Sequence, residues 1–147
     1  MPVPRLKKLF PRLRFSPYQI TSHRHKKYNC ICHAADDGCR RWWWPSPVDY
    51  WPPGVRREET LVAFVEAFRT VGYVPAVDGT LEGVFEKVAI YAVGGKPQHM
   101  ARQLPSGAWT SKLDKLEDIE HAELEAVNSP HYGTPVVFLK RPREPNP

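Results

Sequence analysis

Thirteen prolines fall in three clusters: four within residues 2–17, four within 45–53 and five within 130–147. Proline lacks a backbone donor and fixes φ, so these stretches cannot be the interiors of helices or central strands. Regular structure is therefore pushed into the windows between them. Within 147 residues that leaves room for one ordinary domain. A chain of this length buries roughly two-thirds of its unfolded surface, so it needs no disulfide or metal to fold.

The first window opens at Tyr28–Ala35 (YNCICHAA), which reads as the start of a short helix with Asn29 as N-cap; Asp36-Asp37-Gly38 ends it. An irregular aromatic segment follows, with Trp42, Trp43, Trp44, Tyr50 and Trp51 interleaved with prolines. So much aromatic surface is expected to pack on the body or to line a groove. Residues 58–71 predict the clearest helix. Leu61, Phe64, Val65, Phe68 and Val71 share one face, and Gly72 suits the position just past the end.

Beyond Gly72 the period changes to two. Residues 86–93 (EKVAIYAV) read as a strand, Gly94-Gly95 as a turn, and 98–104 with 108–113 as a hairpin around Pro105-Ser106-Gly107. A short helix is expected near 117–127, its Glu-rich side a solvated face, and a last strand over 132–141. Helices first and strands after predict an α+β fold, with N-terminal helices packed on a small antiparallel sheet. The predicted organisation is a basic flexible arm at 1–27, one domain at 28–141 and a tail at 142–147.

Charge is distributed unevenly. Residues 1–28 hold eight Lys/Arg and no Asp or Glu, whereas the whole chain carries a net charge of +5. The body is thus mildly acidic, and any contact with nucleic acid is expected through residues 1–27 only. No run of 18 apolar residues exists, so no membrane span is expected. Three cysteines is an odd number in a chain long for a disulfide scaffold, which points to free thiols and a cytoplasmic setting. Nothing in the sequence calls for a cofactor, and it leaves the oligomeric state open.

Cys30 stands just after the predicted N-cap, where unpaired amides and the helix dipole favour a thiolate. A histidine on a strand could activate it, and His99 is the best placed. Alternation puts His99, Ala101 and Gln103 on one face. If the turn pairs Leu104 with Ala108, Ser111 lies opposite Ala101, His99 opposite Leu113, and Asp114 near Gln98. Ser111, Asp114 or Gln103 could then orient His99, although Gln103 is roughly 13 Å along the strand. His121, on the Glu-rich stretch, is an alternative partner for the thiol. Trp44, Trp109 and Lys112 offer aromatic and cationic surface for a peptide or protein substrate. A zinc site competes, for which Cys30, Cys32, His33, Cys39, His23, His25 and His131 are all possible ligands. Its C-x-C-H-x₅-C spacing lacks the usual C-x₂₋₄-C pair, and Cys30 and Cys32 would point about 200° apart on a helix. The preferred reading has no metal.

The stretches YNCICHA, RWWWP, YWP, GYVP, EKVAIYA, HMARQL, GAWTSKLD and DIEH resemble an uncharacterised family of small, mostly bacterial proteins, over roughly residues 28–141. The order of a cysteine at a helix start and a histidine on an antiparallel sheet resembles the papain-like superfamily, including bacterial cell-wall-type cysteine peptidases and amidases. That resemblance implies a papain-like layout with Cys30 as nucleophile and His99 as base. It leaves the third catalytic position unmatched; Cys32, His33 and Asp114 depart from the pattern. The expected function is thiol-dependent hydrolysis or transfer at an amide bond. The rival readings are a non-catalytic interaction domain with an aromatic groove and a nucleic-acid-associated protein acting through its arm.

Overall fold

The computed structural model describes residues 10, 18–22, 31, 34, 35, 42, 44, 49–112, 118–130 and 132–143. Its body is a seven-stranded sheet in the order β1-β6-β5-β4-β3-β7-β2, in which every neighbouring pair is antiparallel. The strands are β1 (Tyr18–Ser22), β2 (Val74–Ala76), β3 (Phe85–Val93), β4 (Lys96–Gln103), β5 (Trp109–Lys112), β6 (Asp118–His121) and β7 (Thr134–Pro142). One α-helix, α1 (Leu61–Arg69), and a 3₁₀ turn at Leu124–Val127 complete the described elements. Ile31 and Ala34 are also helical, and Ala35 N–H donates to Ile31 O at 2.9 Å.

This architecture overturns the expected α+β fold with N-terminal helices on a small sheet, and the papain-like layout goes with it. The described chain is dominated by antiparallel strands, three of which (β1, β2 and β6) were not foreseen. The expected helix near 117–127 is instead β6 followed by the 3₁₀ turn. The glutamates there had suggested a solvated helix face, but Ile119 and His121 are both buried with Glu120 between them, which is the period of a strand. Tyr18–Ser22, inside the segment read as an arm, pairs with β6 as an edge strand of the sheet. Hydrophobicity gave no sign of it.

Where periodicity was strong the elements appear. Thr60 caps α1 by accepting from Ala63 N–H at 3.1 Å. At its other end Gly72 N–H donates to Arg69 O and Tyr73 N–H to Phe68 O, with Gly72 at φ 98°. This is the paired bonding of a Schellman stop, which only a residue tolerant of positive φ closes without strain. The β3–β4 hairpin turns on Gly94-Gly95. In the β4–β5 hairpin Leu104 N–H donates to Ala108 O at 2.7 Å, the pairing assumed from the sequence.

Alternation along the strands creates two cores. Val88, Ile90, Met100 and Leu139 face α1, where they meet Phe64, Ala67, Phe68, Trp42, Trp51 and Tyr73. Trp42 is fully buried, with ring centroids 5.1 Å from Tyr50 and 5.6 Å from Phe68. The aromatic, proline-rich segment thus joins the core through Trp42 and Trp51, while Trp43 lies outside the described residues. On the opposite face Ala89, Tyr91, Ala101, Trp109 and Ile119 pack with Ala126, Val127, Tyr132 and Phe10. No helix among the described residues is long and apolar enough to cross a membrane.

Candidate functional site

Three consecutive strands bring three polar side chains to the second face. His99 on β4, Ser111 on β5 and His121 on β6 are all buried. The registers explain why. Arg102 pairs with Thr110 across β4–β5, and Ser111 pairs with Ile119 across β5–β6. Each polar residue therefore stands one diagonal step from the next on the same face, within reach of long side chains. His99 Nε2 lies 3.1 Å from Ser111 Oγ, Ser111 Oγ lies 2.8 Å from His121 Nε2, and His121 Nδ1 lies 2.8 Å from the Glu123 carbonyl oxygen.

The line has a direction because a carbonyl only accepts. His121 Nδ1 must therefore carry a proton and donate to Glu123 O. Burial holds the His121 pKa at about 4, against an ordinary 6.5, and the hydrogen bond to Glu123 O opposes this only in part. At neutral pH the ring is uncharged and Nε2 is bare, so the Ser111 hydroxyl donates to it. Ser111 Oγ then accepts from His99, which places a proton on His99 Nε2. A neutral His99 consequently has Nδ1 as its unprotonated, basic nitrogen. Were His121 doubly protonated, both bonds of Ser111 would reverse, while Nδ1 would still donate to Glu123 O.

Two tyrosines fix the plane of His99. Tyr132 stacks on it with centroids 4.1 Å apart and an interplanar angle of 3°, and Tyr91 meets it edge-on at 5.1 Å. Tyr91 is itself held by donation from its hydroxyl to Leu124 O. It sits at an irregularity in both β3 ladders, where a bulge re-aims side chains. Tyr132 is carried by a tight loop in which Gly133 N–H donates to Ser129 O at 2.7 Å. Gly133 has φ 74°, and a Cβ there would stand 1.9 Å from Ala92 O. Only glycine lets the loop come close enough to lay Tyr132 on the imidazole.

His99 also borders a pocket of about 80 Å³ together with Ile31, Trp44, Glu59, Phe64, Pro97, Gln98 and Met100; Ile31, Phe64 and Met100 belong to the first core, across the sheet from the His99 imidazole. Its walls are mostly apolar, with Glu59 and Gln98 as polar contributions. Ile31 is the residue that follows Cys30 in the chain.

The other residues singled out from sequence fall in different places. Trp44 lines the pocket. Trp109 is buried in the second core, where a Cβ on Gly79 would come within 3.1 Å of its ring. Lys112 is fully buried. Gln103 is buried and donates to Gly79 O at 2.9 Å. Cys30 and Asp114 lie outside the described residues, as do His23, His25, Cys32, His33, Cys39 and His131, the residues weighed as zinc ligands. Reading the sequence paired His121 with neither Ser111 nor Glu123, because it placed His121 on a helix. The alternation of Ile119 and His121 opposite Trp109-Thr110-Ser111-Lys112 was the signal that could have found it.

Residues 19–140 match the model of a family described as a domain of unknown function (DUF7689). No curated protein and no solved structure matches the chain.

Proposed function

The chain belongs to the DUF7689 family, and from that premise we propose that it is a thiol-dependent hydrolase or transferase acting at an amide bond, with Cys30 as nucleophile and His99 as base. The observation that carries this reading is the state of His99. Its hydrogen bonding leaves Nδ1 as the basic nitrogen, and its place on β4 borders the pocket that holds Ile31, the neighbour of Cys30 in sequence.

In the proposed reaction the Cys30 thiol gives its proton to His99 Nδ1, and the thiolate attacks the carbonyl carbon of the amide. The new C–S bond forms as the carbonyl becomes tetrahedral. The C–N bond then breaks, and the leaving amine takes the proton back from Nδ1. Water, or an acceptor amine in the transferase case, delivers a proton to Nδ1 as it attacks the thioester. The C–S bond breaks, and the proton returns to sulfur. Throughout, Nε2–H keeps its bond to Ser111 Oγ. The walls from Ile31, Trp44, Phe64 and Met100 suit a small apolar group of a peptide or protein substrate, with Glu59 and Gln98 able to bind its N–H groups.

Alkylation tests this directly. An unperturbed thiol of pKa ~8.5 is about 1% ionised at pH 6.5, whereas activated cysteines fall at roughly 3.5–7.5. Cys30 is expected to react with iodoacetamide at pH 6.5 on the order of ten- to a hundredfold faster than Cys32 or Cys39, as read by mass spectrometry of the labelled peptides. The substitution His99→Ala should remove most of that advantage. Equal rates at the three cysteines, or labelling of Cys30 only after unfolding, would replace the enzyme with a non-catalytic interaction domain that uses the same pocket.

A further inference from the structure

Three polar side chains packed among apolar neighbours are costly unless each hydrogen bond is made. Here the bonds form one line that ends on a backbone carbonyl. The Glu123 carbonyl cannot reverse its role, and it follows β6 by two residues, so the strand that carries His121 also fixes the end of the line. From this arrangement we infer that Ser111 and His121 are positioning residues that lock His99 in the tautomer with its proton on Nε2, using the Glu123 carbonyl as the fixed end. The inference rests on the thiol reading for its purpose, since a base facing a thiol needs a bare Nδ1.

The lock answers a specific problem. A neutral imidazole can carry its proton on either nitrogen, and the tautomer protonated on Nδ1 cannot accept from a thiol. A lone serine beside Nε2 would not decide between them, because a hydroxyl both donates and accepts. The second imidazole removes that ambiguity. With Ser111 O–H committed to His121 Nε2, the oxygen has only acceptor capacity left for His99. The third catalytic position, which has no match in the sequence, is filled by a serine–histidine pair in place of a single side chain. His99 can then gain and lose a proton at Nδ1 without turning, while Tyr132 and Tyr91 hold its plane.

Side-chain ¹⁵N NMR reads the lock without any activity. In the full chain carrying Cys30→Ala, at pH 8, no thiolate can keep His99 charged. His99 should show a protonated Nε2 and a bare Nδ1, and His121 the opposite. Adding His121→Phe removes the acceptor, so Ser111 turns to donate to His99 Nε2 and the His99 tautomer inverts. His121→Gln, whose side-chain oxygen can accept from Ser111, should retain the original tautomer. In the chain with Cys30 intact, His121→Phe should slow iodoacetamide labelling of Cys30 at least about tenfold, since general base catalysis contributes on the order of a hundredfold or more. A bare Nε2 on His99 in the Cys30→Ala chain overturns the lock, as does an unchanged His99 spectrum in His121→Phe. The first spectrum needs no change at position 121, so the lock stays decidable if His121→Phe does not fold. If the lock is seen and Cys30 labels no faster than Cys32 and Cys39, the thiol reading falls and the tautomer assignment stands.

Discussion

On the face of the sheet that α1 covers, the core includes Trp42, Trp51, Phe68, Tyr73, Ile90, Met100 and Leu139. On the opposite face the same β3–β4 hairpin, continued by β5 and β6, buries His99, Gln103, Ser111 and His121 among Ala89, Tyr91, Ala101 and Trp109. That core is held by apolar area and shape. The second mixes packing with polar groups that must satisfy one another. The two should therefore fail differently: the first when volume is removed, the second when a proton is added or a ring is displaced.

The largest effect is expected from Trp42→Ala, which empties the centre of the first face. It should cost about 3–5 kcal/mol in chemical denaturation, as for other large-to-small core changes. The His99 tautomer should be untouched in whatever fraction remains folded. A loss under about 1 kcal/mol would show that the aromatic segment is not a structural core.

Next comes acid. His121 has a folded pKa of about 4 against 6.5 for an ordinary histidine. The unfolded chain binds this proton more readily, so its contribution to stability is complete above about pH 6.5 and is lost as the pH falls toward 4. At 1.36 kcal/mol per unit the loss is on the order of 3 kcal/mol. His121→Gln should flatten that part of the stability profile, and Trp42→Ala should shift the profile without changing its slope there. If wild type and His121→Gln have the same slope between pH 6.5 and 4, His121 is not buried in its neutral form.

The smallest of the three effects belongs to Gly133→Ala. Backbone strain at positive φ costs about 1–3 kcal/mol, and relief of the contact with Ala92 O must move the loop. Tyr132 should withdraw from His99, and the ring-current shift on the His99 ring protons should diminish while the first core keeps its native spectrum. An unaltered His99 signal would mean that the stack does not depend on this glycine.

What could be read from the sequence followed the strength of its periodicity. The five apolar positions of residues 58–71 marked α1, and the Pro105-Ser106-Gly107 turn set a register in which Ser111 was already expected opposite Ala101. The proximity of Ser111 to His99 followed from that register alone. β6 was hidden because four residues are too few to separate alternation from a charged helix, and Asp118 and Glu120 argued for solvent. β1 was hidden because Tyr18–Ser22 lies between a proline and a run of basic residues, and its pairing is decided by the exposed edge of β6. Without β6 the partnership of His121 with Ser111 had no geometry to rest on. Cys30, the residue the sequence made most of, lies outside the described residues, so its role rests on the chemistry proposed for His99.

The line from His99 to Glu123 is supplied by one uninterrupted meander, β4 to β5 to β6, with neighbouring strands consecutive in the chain. Contacts between segments close in sequence require short loops to close and form early, whereas pairings across long separations form slowly. β3, by contrast, must recruit β7 across more than forty residues, from Phe85 with Pro142 to Ala92 with Thr134. The polar line should therefore assemble within its own segment before the sheet is complete. Pulse-labelled hydrogen exchange would then find the amides of β4 and β5 protected ahead of those that join β3 to β7.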